Sequence, residues 1–355
     1  MSEAINRDIY EIVQDKNLFL NLKESTVLIT GATGVAGSIL LRSLLAANDR
    51  YHLDIMVKGT ARNREKVNTV LGAMTGREDL EIIYTENLNI DTYCDYIVHT
   101  VCPTKSRFFI ENPVETINVS LWGTRRMLEL AKKNKVRRMV YLSSMEQYGI
   151  PFEKDQIMTE ERSGIVNHLT ARGSYPESKR MGECYCAAYA HEYGVRTSIA
   201  RLAQTFGAGV SASDNRVFMQ FARSVISETD IILHTAGESL SNYCYITDTV
   251  TGILTILAKG KSGEAYNICN DSETRTIKEI AQMVAQKLAH GKIKVMTDDS
   301  GADKYGYSPD TTIRLNSDKL QSLGWESKIG MEEAYRRLVS FLKEKDRYDI
   351  SVGEV

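Results

Sequence analysis

Tyr175 and Lys179, in Tyr175-Pro176-Glu177-Ser178-Lys179, are separated by three residues and so face the same way on a helix, one turn apart. A nearby ammonium favours the phenolate and lowers a tyrosine pKa that starts near ~10. A phenolate so placed can take the proton of a sugar or alcohol hydroxyl while hydride leaves the adjacent carbon. Taken alone, the spacing also marks ordinary solvated helix faces. It gains meaning from a second pattern far upstream, which offers a place for a hydride acceptor.

Gly31, Gly34 and Gly37 follow the short apolar run Thr26–Thr30 and open the segment Ile39–Ala46, an order that reads as strand, tight turn and helix. In that context Gly31 permits the turn and Gly34 lets the backbone approach a pyrophosphate, with Thr33 and Val35 on either side. Gly37 allows the helix to pack closely on the strand. The helix N-terminus adds free N–H donors and the positive end of its dipole. The spacing is Gly-x-x-Gly-x-x-Gly rather than the commoner Gly-x-Gly-x-x-Gly. The expected cofactor is NAD or NADP. At the end of the second strand, an acidic residue would accept from ribose hydroxyls and an arginine would receive a 2′-phosphate. Val57-Lys-Gly-Thr-Ala61-Arg62-Asn-Arg64 has no carboxylate there, so Arg62 leans toward NADP.

The elements needed to position these groups can be read along the chain. Strands are expected over 54–61, 80–84, 95–100, 138–144 and 196–201. Helices are expected from the glycine turn, over 63–71, over 113–134 and around Tyr175. Strands alternating with helices predict an α/β fold, a Rossmann-type doubly wound parallel sheet. Ile5, Ile9, Ile12 and Val13 recur at helical spacing, which makes residues 1–24 a helical extension before the first strand. Residues 25–203 form the expected NAD(P)-binding domain, with return strands within about 241–270. Residues 204–240 and 271–355 form a smaller C-terminal substrate-binding lobe. A length of 355 residues permits this much core, and 44 basic against 46 acidic residues argue against a nucleic acid or anionic membrane partner. The six cysteines show no Cys-x-x-Cys pair and no zinc-ligand spacing, so no metal is expected. With no secretory signal and no membrane-length apolar run, reduced thiols in a cytoplasm are the expectation.

Taken in order, Thr30–Gly37, Ser143–Ser144 and Tyr175/Lys179 resemble the extended short-chain dehydrogenase/reductase superfamily. Within it, the chain is similar to the NAD-dependent epimerase/dehydratase family of nucleotide-sugar enzymes. Further resemblance lies in Asn118-Val-Ser-Leu-Trp-Gly123-Thr124 and Ser143-Ser-Met-Glu-Gln-Tyr148-Gly149. It continues through Arg201-Leu-Ala-Gln-Thr-Phe-Gly207-Ala-Gly209 and Tyr243-Cys-Tyr-Ile-Thr-Asp248, so that the likeness spans roughly 25 to 340. The resemblance implies that Tyr175 deprotonates a sugar C4 hydroxyl and that Lys179 holds the phenolate and the nicotinamide ribose. Ser144 then bonds the same hydroxyl and the developing ketone. The resulting 4-keto sugar can turn over and be reduced (a 4-epimerase), lose water across C5–C6 (a 4,6-dehydratase) or lose a C5 carboxylate (a decarboxylase).

Glu146 tilts this choice toward C5 chemistry, because family dehydratases and decarboxylases carry glutamate at that place. Met145, where some dehydratases have aspartate, cannot protonate a leaving hydroxyl. Gln204 stands for the family's asparagine before Tyr-Gly-Pro and is expected to touch substrate. The arginine that grips the nucleotide phosphate is replaced by Ser241, with Arg216, Arg275 and Arg314 as possible substitutes, Arg216 first. His99, His168, Arg172 and Cys102 receive no catalytic role. The alternatives to C5 chemistry are simple 4-epimerisation, an NADP-dependent keto-sugar reductase, and a non-catalytic dinucleotide-binding subunit. A homodimer is expected through Asn118–Asn134 and Tyr175–Tyr189, where Ala187, Ala188 and Ala190 allow close packing.

Overall fold

Strands covered on both faces must be apolar throughout, and the continuous β-branched runs of this chain build such a sheet. The computed structural model describes residues 2–103, 106–153, 156–211, 213–298 and 311–352, with side chains through 344. Its main strands are β1 (Thr26–Thr30), β2 (Met56–Ala61), β3 (Leu80–Tyr84), β4 (Tyr96–His99), β5 (Arg138–Ser144), β6 (Thr197–Leu202) and β7 (Glu264–Ile268). They lie in the order β3-β2-β1-β4-β5-β6-β7, and every pair is parallel. The chain direction of travel reverses between β1 and β4, the position at which such sheets open a crevice at their carboxyl ends.

The helices are α1 (Glu3–Ile12), α2 (Val35–Tyr51), α3 (Arg64–Leu71), α4 (Ser106–Glu111), α5 (Pro113–Asn134) and α6 (Ser174–Tyr193). They continue with α7 (Val217–Ser227), α8 (Ile246–Lys259), α9 (Ile277–Met283), α10 (Asp318–Gln321) and α11 (Met331–Val352). Residues of α5 and α6 cover one face of the sheet over Leu28, Ile97, Met139, Tyr141 and Ile199. On the other face one apolar core runs from Val27, Ile29 and Leu44 through α8 to Phe206, Phe218 and Tyr335. No described helix is long and apolar enough to cross a membrane.

The C-terminal part departs from its sequence reading in one respect. Leu240–Tyr245 is a strand but does not return to the main sheet. It pairs with Gln204–Phe206, Thr274–Thr276 and Thr312–Leu315 in a second, smaller sheet. Ile246 then begins α8, whose sequence Ile-Thr-Asp-Thr-Val-Thr-Gly-Ile-Leu-Thr-Ile-Leu is β-branched and reads locally as strand. Burial decides the matter: a helix apolar on nearly all sides packs inside, here between the sheet and α2. Thr276 caps α9 in a capping box with Glu279, each side chain accepting from the other residue's N–H.

The glycine turn shows why each glycine is needed. Gly31 has φ +70°, and a Cβ there would lie 2.7 Å from Thr100 Oγ1. Gly37 packs so tightly that a Cβ would stand 2.3 Å from the Gly31 carbonyl oxygen. Gly34, with an ordinary φ of −78°, caps α2 and has only the Gly31 oxygen, at 3.2 Å, near its own virtual Cβ. Its outer side is left open. Gly37→Ala is therefore expected to push α2 off the turn and weaken dinucleotide affinity at least about tenfold, roughly 1.4 kcal/mol. Calorimetric titration of the purified variant checks this, and an unchanged affinity would show that the turn does not bind the dinucleotide.

Candidate active site

β5 and α6 bring the expected groups together at the carboxyl end of the sheet. β5 ends at Ser144, and α6 begins one residue before Tyr175, after Thr170 Oγ1 has accepted the Gly173 N–H. Lys179, one turn further, is 3 % exposed, and its Nζ donates to the Leu142 carbonyl at 2.7 Å. That bond ties α6 to β5 two residues before Ser144. Lys179 Nζ also lies 5.1 Å from the Tyr141 ring centre and 5.8 Å from that of Tyr175. Ser144 Oγ accepts the Glu146 N–H at 3.2 Å at the start of a short 3₁₀ turn, and Ser144 hydrogen-bonds Tyr175. Serine, tyrosine, lysine and Glu146 thus form one cluster.

Two further residues complete it. The Phe109 ring, on α4, stacks on Tyr175 with 4.2 Å between ring centres and 8° between planes. Arg172 lies over the Phe109 ring at 5.2 Å and forms an ion pair with Glu146. Tyr175, Phe109, Arg172, Glu146 and Ser144 therefore make a closed circuit of contacts. The sequence offered Arg172 only as a loop residue and did not mark Phe109 at all. An arginine two residues ahead of Ser174-Tyr175 is visible in the sequence once a base such as Glu146 is suspected. For Phe109 no local pattern exists, since its role comes from α4 folding back over α6.

The electrostatics correct one expectation. Burial pushes the Tyr175 phenol well above its ordinary value, with Cys102 and Glu146 acting in the same direction; the Ser144 bond and Arg172 oppose it. Lys179 is bonded to a carbonyl rather than to the phenol, so the protein alone does not lower this tyrosine. His99 is fully buried, bonded through Nδ1 to Thr30 Oγ1 at 2.8 Å, and pushed down to about 3 by burial and then by Lys179. It is a neutral structural ring. Cys102 meets Ser120 Oγ at 3.2 Å.

The cofactor side fits a dinucleotide on structural grounds. The amides of Val35, Ala36 and Gly37 make no hydrogen bond with any described residue and sit at the N-terminus of a long helix. Thr33 lies half-buried in the turn before them. Beyond β2, Arg62 is exposed and without an ion pair to any described residue, while Arg64 covers the Tyr84 ring at 3.8 Å. Among the described residues no group of three His, Cys, Asp or Glu side chains could hold a metal ion.

On the expected substrate side, Gln204 is half-buried on the strand paired with Leu240–Tyr245, and its side chain bonds no described residue. Arg216 does not stand free: it grips Asp214 through Nε and Nη2, at 3.1 and 2.8 Å to Oδ2, and lies over Phe218. Ser241, in the place of the family's arginine, is directly opposite Arg275 on the neighbouring antiparallel strand. Side chains opposed in this way project from the same face. Arg275 in turn bonds Glu273 at 2.7 Å. The register thus returns a cation beside Ser241 from the next strand.

Comparison with known proteins shows the family and the fold. The family model described as NAD dependent epimerase/dehydratase family matches residues 27–269. The chain is 30% identical over 312 residues to UDP-glucuronic acid decarboxylase 6 of Arabidopsis thaliana, covering 86% of this chain and 85% of that one. It is 29% identical over 332 residues to UDP-glucuronic acid decarboxylase 1 of Xenopus tropicalis, covering 92% and 74%. Its fold is that of dTDP-glucose 4,6-dehydratase from Bacillus anthracis in complex with NAD, with TM-score 0.73 and 19% identity over 91% of this chain and 98% of that one. It is equally that of UDP-N-acetylglucosamine 4-epimerase from Methanobrevibacter ruminantium, with TM-score 0.76 and 16% identity over 91% and 99%.

Proposed function

The chain belongs to the NAD dependent epimerase/dehydratase family, and on that premise we propose that it oxidises the C4 hydroxyl of a nucleotide-linked uronic acid and then removes the C5 carboxylate. The observation that carries this reading is the pairing of Arg172 with Glu146 beside Tyr175. A guanidinium at that place suits a substrate carboxylate at C5, through the bidentate geometry that arginine offers. The relatives named UDP-glucuronic acid decarboxylases support the same substrate class.

NAD, when bound by the Gly31–Gly37 turn, Thr33, Val35 and Lys179, supplies the hydride acceptor for C4 and later returns the hydride. Tyr175 must first give its own proton to solvent; as the phenolate it takes the C4 hydroxyl proton, and Ser144 holds the same oxygen as it becomes a ketone. Arg172 would hold the carboxylate so that the breaking C5–carboxylate bond stands perpendicular to the plane of the C4 carbonyl. Carbon dioxide leaves with its bond electrons remaining on C5 and the C4 oxygen, and a solvent proton then adds at C5, relayed by Glu146 once Arg172 has turned from it to the substrate carboxylate. Gln204, Arg275 and, after release from Asp214, Arg216 are proposed for the nucleotide side within 204–240 and 271–355. Loss of water across C5–C6 is the second reading, favoured by Glu146 as a base and weakened by Met145, which has no proton to give.

Turnover in deuterated water separates these courses. The expected product is one carbon shorter, carries one deuterium at C5 and accompanies one carbon dioxide per sugar, read by mass spectrometry and NMR. Deuterium with loss of water and all carbons retained would support dehydration. A product with neither change would leave only 4-epimerisation, and the C5 reading would be wrong.

We also propose that Arg62 lets the site accept NADP beside NAD, because it is the uncommitted cation where a 2′-phosphate would sit. The wild type is expected to bind NADP within about tenfold of NAD, and Arg62→Ser to widen that gap by a further ~10-fold. A gap that Arg62→Ser leaves unmoved would make Arg62 an ordinary surface residue.

The assembly proposed is a homodimer in the cytoplasm. The outer face of α5 and α6 exposes Val114 at 67%, Trp122 at 70% and Met181 at 47%, an apolar area unusual for a free helix pair. Trp122→Glu is expected to convert a dimer to monomers in sedimentation velocity. A wild-type monomer at tens of micromolar would overturn the proposal.

A further inference from the structure

The N-terminal helix, which precedes the family's match at residue 27, is tied into the interior by a buried acid. Asp8 on α1 is 0% exposed. Its Oδ2 accepts the Tyr245 hydroxyl at 2.8 Å and its Oδ1 accepts from Arg337 at 3.0 Å. The Tyr245 oxygen in turn accepts the Ala208 N–H at 3.4 Å. Ala208 lies between Gly207 and Gly209, whose φ angles are +155° and +96°. Tyr245 ends the strand whose neighbour is Gln204–Phe206, in the register Tyr245 opposite Phe206 and Tyr243 opposite Gln204. The loop then crosses α2, with Gly209 facing Ile39, two residues beyond Gly37.

We propose that Asp8 is a positioning residue for the sugar-nucleotide side of the cleft, setting through Tyr245 the strand Gln204–Phe206 and the Gly207–Gly209 loop. The surrounding contacts are those of a clamp rather than a loose extension. α11 holds α1 at one end through Glu344, which accepts from Ser2, Glu3 and Ala4, and at the other through Arg337, which reaches Asp8 and Glu11. Asp8 is the member of this cluster that reaches inward to the Tyr245 hydroxyl. Burial of Ala208 and Val210 seats the loop around its two glycines, and the Tyr245 hydroxyl supplies the side-chain acceptor for the Ala208 N–H.

Burial pushes the Asp8 carboxyl up to about 6, although the Tyr245 bond, Arg337 and Arg7 act to lower it. The folded state thus holds this proton more tightly than the unfolded chain, and the group's contribution to stability falls as pH rises through about 6. The charges facing it are Arg7 and Glu11 from α1 and Arg337 and Glu333 from α11; Asp248 on α8 also feels Arg337. An ionised acid kept in so unfavourable a place is not explained by stability. An asparagine would fill the same space but could not accept from Tyr245 and Arg337 together.

The kinetic arm rests on the reading that Gln204 borders the substrate, whereas hydrogen exchange needs no substrate. In Asp8→Asn and Tyr245→Phe, amides of residues 203–211 are expected to exchange at least tenfold faster, with α2 and the main sheet unchanged. Glu11→Gln, which removes one partner of Arg337 but leaves the Asp8–Tyr245 and Asp8–Arg337 bonds in place, is expected to leave that segment alone. With the sugar nucleotide in hand, both inward variants raise KM at least fivefold, hold kcat within twofold and leave NAD affinity unaltered. Unchanged exchange in Asp8→Asn and Tyr245→Phe would overturn the proposal. So would faster exchange spread over the whole chain, or equal effects from Glu11→Gln. Altered exchange with an unmoved KM would equally overturn it, since the brace would then not serve the substrate.

Discussion

The bond from Lys179 Nζ to the Leu142 carbonyl is the contact on which the site's geometry depends. It places a cationic side chain inside the protein with a single neutral oxygen as its recorded partner, an arrangement that burial ordinarily penalises by several kcal/mol. The surroundings are built to tolerate it. The rings of Tyr141 and Tyr175 turn their faces toward the nitrogen at 5.1 and 5.8 Å, a cation–π environment of modest strength. His99 nearby stays neutral, which avoids a second buried positive charge. In return, that bond sets the register of α6 against β5 together with Ser143 Oγ, which donates to Glu183 on α6. Tyr175, one turn before Lys179, and Ser144, two residues after Leu142, must then meet.

Much of this arrangement was legible because it rests on local patterns. The parallel strands read as unbroken apolar runs, and the glycine turn stands where a strand gives way to a helix. Tyr175 and Lys179 follow from helical spacing, and Ser144 from the resemblance to the family. What was hidden depends on packing between distant segments. α8 has the composition of a strand and is helical because it fills the space between the sheet and α2. Phe109 reaches Tyr175 across more than sixty positions of sequence, with no motif to announce it. The high pKa direction of Tyr175 was also missed, because the spacing to Lys179 says nothing about how completely α4 buries the ring.

The same distinction explains the nucleotide side. A reading by position found serine in place of a phosphate-binding arginine at 241 and looked for a substitute along the chain. Sheet register chooses among the substitutes that sequence order offered, since Arg275 becomes the neighbour of Ser241 when Thr274–Thr276 pairs antiparallel with Leu240–Tyr245. Arg216, the first substitute by sequence, is held by Asp214 and would have to exchange one anion for another. Arg275 is likewise held, by Glu273, and differs in standing directly opposite Ser241 on the same strand face.

Charge movement in the proposed reaction suits this set of residues. The substrate carboxylate would add a negative charge near Arg172, in a circuit where Glu146 already raises Tyr175 and Arg172 opposes it. Such a charge would hold the Tyr175 proton still more firmly once it has been taken from the C4 hydroxyl. When carbon dioxide leaves, the negative charge passes from the carboxylate to the C4 oxygen. It arrives where the protonated phenol and Ser144 are waiting as donors. A tyrosine pushed up by burial is therefore scarcely ionised before the first step and, once it holds a proton, keeps it as a donor for the second. An oxidised nicotinamide bound there, being positively charged, would offset the first disadvantage. The buried phenol, the Glu146–Arg172 pair and the C5 carboxylate form one electrostatic unit, and its balance favours the step after oxidation.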